Sequence, residues 1–148
     1  MVERSEEILD SPVGWVGKHV RTYVESGGEQ GHRYAGYDSL LLTTRGRKTG
    51  KLRRTALYYG RDGDRYVLVA SNGGSAHHPL WYLNLLEEPE VEVQVGKEVF
   101  RARARPATEQ EKPRLWKMMA RIFPRYDLYQ GKTGREIPVV IVERMEEE

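Results

Sequence analysis

Residues 11–24 carry the first periodic pattern in the chain: Val13, Val16, Val20 and Val24 recur near helical spacing, with Trp15 and Tyr23 at the sides. Pro12 suits a first helical turn, so the spacing predicts a short amphipathic helix. The periodicity then stops. Gly27, Gly28, Gly31 and Gly36 punctuate a polar stretch over 26–38 that reads as an irregular connection. From Leu40 onward, residues 40–44, 55–59 and 66–70 are short runs rich in Leu, Tyr, Val and Thr and predict strands. Arg61-Asp62-Gly63-Asp64 is a hairpin turn by its Asp-Gly pair. Residues 91–95 and 99–105, joined through Gly96-Lys97, alternate strictly between apolar and polar positions over 91–95 and 100–105, which predicts a hairpin with one face to water.

Between these strand sets, Pro-Leu-Trp-Tyr-Leu-Asn-Leu-Leu at 79–86, closed by Pro89, fits a two-turn helix with proline in its first turn. Thr108 and Glu111 form a capping-box pattern ahead of Leu115, Met118, Met119 and Ile122, an i, i+3, i+4, i+7 stripe that predicts another helix. Residues 137–142, with Pro138 near the start, are continuously apolar and read as a well-buried last strand before the acidic tail at 143–148. The sum is about six strands and three helices, mainly β, in an antiparallel sheet that curls into a small barrel with helices outside. No internal repeat is visible. The expected organisation is one compact unit, with the helix and glycine-rich connection at 1–38 and the barrel at 39–148.

Composition changes the picture in two places. At 148 residues, 39% hydrophobic and 31% charged, the chain is ordinary for one globular domain. It has no cysteine, which removes disulfides and thiolate metal or redox sites and makes a reducing cytoplasm the simplest setting. Redox chemistry would therefore be borrowed from a cofactor. No apolar run approaches the roughly 20 residues of a spanning helix, and the first ten residues are acidic where a signal peptide would be basic and then apolar. The expectation is a protein neither exported by that route nor spanning a membrane.

The second place is charge. Basic and acidic residues nearly balance, 24 against 22, yet six of the ten residues at 45–54 are cationic, two are glycine, and no Asp or Glu lies between Asp38 and Asp62. Glycines bring backbone amides close to a ligand, and Lys and Arg supply neutralising charge and forked donors. The segment reads as an anion cradle between two strands. Its lysines do not fall in the Gly-x-x-x-x-Gly-Lys-Ser/Thr pattern of a nucleotide-triphosphate loop. A single short cluster is also a small footprint for nucleic acid, which is not expected as a partner.

Ser71-Asn-Gly-Gly, running through His77-His78 to Pro79, is a second anion-compatible feature. Adjacent histidines point in different directions and no cysteine or carboxylate cluster accompanies them, so no metal is expected. No nucleophile elbow and no Ser/His/Asp spacing is present. Phe123, Tyr126 and Tyr129 recur at three-residue intervals; they read either as packed aromatics or as the wall of a pocket for a flat, conjugated ligand.

Several ordered motifs then carry a resemblance. Leu-Leu-Leu-Thr-Thr-Arg-Gly-Arg-Lys-Thr-Gly-Lys-Leu-Arg at 40–53, Leu57-Tyr58, Ala70-Ser71-Asn-Gly-Gly74, the helix at 79–85, Pro89-x-Val-x-Val-x-Val95, Tyr126-x-x-Tyr129 and Ile137-Pro138-Val-Val resemble the deazaflavin-dependent nitroreductase and quinone reductase family over about residues 40–142. The resemblance implies a split β-barrel of the flavin-reductase type. It also implies a reduced 8-hydroxy-5-deazaflavin coenzyme, F-420, donating hydride to a quinone, nitroaromatic or activated alkene. By the same resemblance, Arg47, Lys48 and Arg53 cradle the coenzyme's phosphate and acidic tail, and Thr55, Ala56, Leu57 and Tyr58 lie along its ring. Ala70, Ser71, Asn72, Gly73 and Gly74, with Pro79, Leu80 and Trp81, hold ring and phosphate. Ser71, Tyr58, Tyr126 and Tyr129 line the acceptor's place, and Ser71, Tyr126 and Tyr129 are the candidates, beside water, for proton delivery. Asn72 stands where the family often has lysine, and Phe123 where a relative has tyrosine, so acceptor preference does not carry over. Two other readings stay open: a split barrel using flavin mononucleotide, and a non-enzymatic cofactor or lipid carrier touching a membrane surface through its N-terminal helix.

Overall fold

The computed structural model describes residues 6–146; the first five residues and the end of the acidic tail, Glu147 and Glu148, lie outside the described part. In chain order the elements are β1 (Ile8–Asp10), α1 (Gly14–Glu25), β2 (Arg33–Tyr34), β3 (Tyr37–Arg45), β4 (Leu52–Tyr58), β5 (Gly60–Asp62) and β6 (Arg65–Val69). A single 3₁₀ turn (Asn72–Gly74) follows, then α2 (Leu80–Glu87), β7 (Glu90–Val95), β8 (Glu98–Pro106), α3 (Lys112–Ile122), α4 (Arg125–Lys132) and β9 (Val139–Arg144).

All six predicted strands and three predicted helices form. Three strands and a helix were missed: the sheet has nine strands, because β1, β2 and β5 are only two or three residues long and too short to show a period. The hydrogen-bonded path runs β1-β4-β3-β7-β8-β9-β6-β5, with β2 pairing β3 alone. The expected all-antiparallel barrel is corrected on two counts. β1 runs parallel to β4, and the two ends of the path do not pair, so the sheet is open.

The sheet nevertheless curls. β4 lies second from one end of the path and β5 at the other, while only Tyr59 separates them in the chain. The space enclosed is filled by Leu40 and Leu42 of β3, Leu68 of β6, Val91 and Val93 of β7, Phe100, Ala102 and Ala104 of β8, and Val140 and Val142 of β9. Tyr82 and Leu85 of α2 enter the same core. Alternation supplies the pattern: on β8, Arg101 and Arg103 face water between buried Phe100, Ala102 and Ala104. On the other face, Val67 and Val69 of β6 and Val139 and Ile141 of β9 pack against Leu115 and Met119 of α3 and Tyr126 of α4. Strand β9 is thus buried on both faces, which is why its sequence is continuously apolar.

The N-terminal helix buries only part of the valine repeat. Val20 and Tyr23 are fully buried against Leu41, with Val16 and Ala56 beside them, whereas Val13 and Val24 are 50% and 38% exposed. Tyr23 donates its hydroxyl to the Ser39 carbonyl at 3.0 Å and accepts the Gly96 amide at 2.7 Å; burial pushes its phenol up to about 12. The glycine-rich stretch is correspondingly well fastened. Gly28, at φ 87°, lies so close to the β7–β8 turn that a Cβ would fall 1.9 Å from the Gly96 carbonyl oxygen.

The capping box forms as predicted, with the Thr108 amide donating to Glu111 at 2.9 Å and the Glu111 amide to the Thr108 hydroxyl at 3.2 Å. Glu111 also takes a two-pronged contact from Arg105 at 2.8 and 3.1 Å. Asp62, on the β5–β6 hairpin, accepts from Arg114 of α3 at 2.9 and 3.0 Å and from Arg65. Arg114 and then Arg65 hold the Asp62 carboxyl well below the usual range, and Arg105 does the same for Glu111. Carboxyls depressed in the folded state add stability above their unfolded pKa and lose it as pH falls. The thermal midpoint is therefore expected to drop as pH falls from about 5 to about 2. Asp62→Asn should lower the midpoint at neutral pH and flatten that dependence, as read by calorimetry. Gly28→Ala should cost about 2 kcal/mol or more in a denaturant titration, because the methyl meets backbone at a left-handed residue.

Candidate functional site

The basic segment is the loop from β3 to β4. It is closed by the Gly46 amide on the Lys51 carbonyl at 2.7 Å and the Gly50 amide on the Gly46 carbonyl at 2.8 Å. Two of its six cations are neutralised, which the sequence reading did not foresee. Strand β1 lies alongside β4 and brings acids from far upstream: Glu6 meets Arg45 at 2.6 and 2.9 Å, and Asp10 meets Arg54 at 2.7 Å. Arg47, Lys48, Lys51 and Arg53 make no ion pair among the described residues. Arg47 is half-buried and the other three are exposed. Buried Asn84 of α2 grips the loop, accepting the Arg47 amide at 3.2 Å and donating to the Thr44 hydroxyl at 3.1 Å.

The Ser71-Asn-Gly-Gly segment precedes that same helix. Ser71 is right-handed, and Asn72, Gly73 and Gly74 follow with φ of 48°, 64° and 80°. Asparagine tolerates the left-handed region better than other side chains, and Asn72 is fixed there by donating to the His77 carbonyl at 3.0 Å. A right-handed residue followed by a left-handed one turns successive amides into an anion-binding concavity. The Ser71, Asn72 and Gly73 amides find no acceptor among the described residues, nor do the Leu80 and Trp81 amides at the start of α2. Beneath the turn, Arg135 donates to the carbonyls of Ser75 at 2.9 Å, Ser71 at 2.7 Å and Ala70 at 3.3 Å, and to Nδ1 of His78 at 3.0 Å. Burial lowers the pKa of this guanidinium, and it has no acidic partner among the described residues.

The aromatic segment closes the site. Residues 125–132, left without a helix by the sequence reading, form α4, held to α3 by the Trp116 indole N–H on Asp127 at 2.8 Å. A Cβ on Gly74 would sit 3.1 Å from Tyr129 Cα, so turn and helix touch directly. Phe123 centres the ring cluster, with centroids 5.0 Å from Tyr37, 5.3 Å from Tyr58, 4.9 Å from Tyr126 and 6.3 Å from Tyr129. Tyr58 and Tyr129 are half-exposed, while Tyr126 is 5% exposed. Burial raises the Tyr126 phenol strongly, and it raises that of Tyr58, with Tyr34, Tyr37 and Tyr129 adding smaller effects. The hydroxyls of buried Ser71 and Tyr126 have no hydrogen-bond partner among the described residues.

The structure thus brings Ser71, Asn72, Gly73 and Gly74 together with Tyr129, and through Phe123 with Tyr58 and Tyr126. It joins Arg47 to the same helix α2 that Pro79, Leu80 and Trp81 open. The run Thr55 to Tyr58 does not present one face: Leu57 packs on the main core and Ala56 under α1. A surface groove of about 410 Å³ beside Tyr37 is lined by Arg33, Tyr59, Arg61 and Ile122 and contains none of the expected cofactor residues. Of its two arginines, Arg33 is paired with Asp38 at 2.9 Å and Arg61 lies over the Tyr66 ring at 4.9 Å. No group of three His, Asp or Glu able to hold a metal occurs among the described residues. Asn84 and Arg135 went unnoticed in the sequence. A lone amide inside an apolar helix was a usable signal for the first; the second had none.

Among the described residues, the curled β sheet thus sets cations without an ion pair at one end of β4 and a tyrosine cluster near amides without an acceptor at the other. The family model described as F420H(2)-dependent quinone reductase matches residues 15–144, and the chain belongs to that family. It is 43% identical over 130 residues to an F420H(2)-dependent quinone reductase of Mycobacterium tuberculosis, covering 85% of this chain and 87% of that one. It is also similar to the solved structure of an F420-H2 dependent reductase (FDR-A), at TM-score 0.66 and 42% identity, covering 71% of this chain and 93% of that one. A solved chain described as a domain-swapped dimer matches at TM-score 0.69 and 38% identity, covering 90% and 100%.

Asn84→Leu is expected to free the loop, because the Arg47 amide and Thr44 hydroxyl lose a buried partner. Hydrogen exchange of amides 46–51 should accelerate about tenfold, with β8 and β9 unchanged.

Proposed function

We propose that this protein is an oxidoreductase that takes hydride from a reduced deazaflavin coenzyme and passes it to a quinone. The observation that carries this reading is one strand: from Arg53 to Tyr58, about 17 Å, β4 leads from a loop whose cations have no ion pair among the described residues to a ring cluster beside amides with no described acceptor. An anionic tail fits the first end and a flat ring the second. When bound, the coenzyme supplies the hydride. The finer description as a flavin-reductase-like split barrel rests on the curl of the open sheet and the likeness to the deazaflavin-dependent reductase structure.

In this reading Arg47, Lys48 and Arg53 hold the phosphate and acidic tail. The turn from Ala70 to Gly74 and the start of α2 at Pro79, Leu80 and Trp81 supply backbone donors, and β4 from Thr55 to Tyr58 supports the ring. Tyr58 and Tyr129 stack the acceptor. Reduction of a quinone by hydride leaves one oxygen needing a proton, and Ser71, Tyr126 and Tyr129 offer hydroxyl donors there. Tyr126, with its phenol raised by burial, is protonated throughout the neutral range and carries a proton to donate. No nucleophile or strong base is required, since orientation is the protein's contribution. No described helix is long and apolar enough to cross a membrane, and the lack of cysteine keeps the cytoplasm the simplest setting.

Micromolar protein should quench or shift the coenzyme's fluorescence and support quinone reduction; a chain that does neither ends this reading. Arg47→Glu with Lys48→Glu should weaken coenzyme binding at least a hundredfold, each lost charge-assisted contact costing about 1.5–3 kcal/mol. Unchanged affinity in calorimetry would remove the loop from the site. Tyr126→Phe with Tyr129→Phe should lower kcat for the quinone more than it raises the coenzyme Kd, and the opposite outcome would move these residues to coenzyme holding.

A further inference from the structure

Arg135 lies outside every motif that pointed to the site, yet it touches more of the glycine turn than any other described side chain. Its own position is fixed: Gln130 donates to its carbonyl at 2.8 Å and accepts the neighbouring Ile137 amide at 2.9 Å. From there the planar fork reaches three backbone carbonyls, of Ala70, Ser71 and Ser75, and one imidazole nitrogen. In a trans peptide the carbonyl of one residue and the amide of the next point in opposite directions. Holding the Ala70 and Ser71 carbonyls against the guanidinium therefore turns the Ser71 and Asn72 amides away from it. Those are two of the amides that have no acceptor among the described residues.

The same guanidinium donates to Nδ1 of His78, which fixes a neutral imidazole with its proton on Nε2 and ties the entry of α2 to the turn. Its charge is unneutralised by any described acid, so it adds to the field felt by an anion above the turn. Lysine cannot replace it. An ammonium has three donors at one point, whereas four acceptors spread over two segments need the wide, flat fork.

We propose that Arg135 is a positioning residue for the coenzyme. By clamping the carbonyls of Ala70, Ser71 and Ser75 together with His78, it sets the Ser71 and Asn72 amides to receive the coenzyme's anionic group. This rests on the deazaflavin reading above, and it assigns Arg135 no contact with the reacting atoms.

The test uses the full chain, with Arg135→Lys and Arg135→Gln made in parallel. In a folded variant, hydrogen exchange of amides 70–76 in the coenzyme-free protein should accelerate about tenfold while β8 and β9 stay unchanged. The coenzyme Kd, followed by its fluorescence, should rise about tenfold to a hundredfold, while the KM for the quinone moves by less than about twofold. A role confined to stability predicts the opposite split, a lower thermal midpoint with coenzyme Kd and turn exchange at wild-type values; that result overturns the proposal, as does failure of both variants to fold. Wild-type protein that does not bind the coenzyme is a separate failure, because it removes the functional reading before Arg135 is altered.

Discussion

The architecture depends on a single backbone constraint at Tyr59. Strands β4 and β5 follow one another with only this residue between them, yet the hydrogen-bonded path from one to the other passes through five further strands. A flat sheet cannot satisfy both, so it bends until its ends meet, and Tyr59 is held where they do. Its amide donates to the Asp38 carbonyl at 3.2 Å, its hydroxyl bonds with His32 at 2.8 Å, and its ring lies 5.5 Å from that of Tyr66. The phenol, pushed up to about 12 chiefly by burial, stays a neutral partner there. Once the sheet has bent, the alternating residues of β3, β6, β7, β8 and β9 share one interior. Helix α2 closes it with Tyr82 and Leu85.

That closure also builds the proposed site. Because α2 plugs the interior, its buried Asn84 stands where the β3–β4 loop turns, and its first turn stands where the chain leaves β6. Charge then selects within the loop. Strand β1 adds itself to the sheet in parallel with β4, and its neighbourhood removes Arg45 and Arg54 from play through Glu6 and Asp10. The exposed Arg45–Glu6 pair contributes little to stability. The effect of both pairs is on which cations are left without an ion pair among the described residues: Arg47, Lys48, Lys51 and Arg53. At the glycine turn the logic is reversed, since Arg135 lies behind the backbone and its charge is left standing.

Legibility in the sequence followed the range of the contacts. Strands with period-two alternation and the capping box at Thr108 and Glu111 were readable because the forces that form them are local. Strands β1, β2 and β5 were not, being too short to show a period and fixed only by their partners. Helix α4 was not read because its residues were taken only as aromatics at three-residue intervals, and it is held by the Trp116 bond to Asp127 and by burial of its own Tyr126 against Leu115 and Met119. On α1 the valines gave the right element and half of its buried face: Val16 and Val20 pack inward, Val13 and Val24 do not, and Tyr23 joins them by satisfying its hydroxyl. Glycines and cations marked the candidate site directly. What they could not show was the neutralisation of Arg45 by a residue 39 positions upstream, or the clamp of Arg135 on a turn 64 positions away.

The titratable groups of the site suit hydride chemistry for a physical reason. Transfer to a quinone creates negative charge on an oxygen, and a site that met it with an ionised base would repel it. The phenols of Tyr58 and Tyr126 are instead driven toward their neutral form by burial and, to a smaller extent, by neighbouring tyrosines. His78, its Nδ1 occupied by Arg135, has its pKa lowered by burial and by that charge. Each remains a hydrogen-bond donor across neutral pH, and the formal charges on the ligand side of the turn and loop are positive. An environment of neutral donors backed by fixed cations stabilises a developing anion without reorganising at the moment of transfer. It needs rigidity more than reactivity, and rigidity is what the bent sheet, the α2 plug and the clamped turn provide.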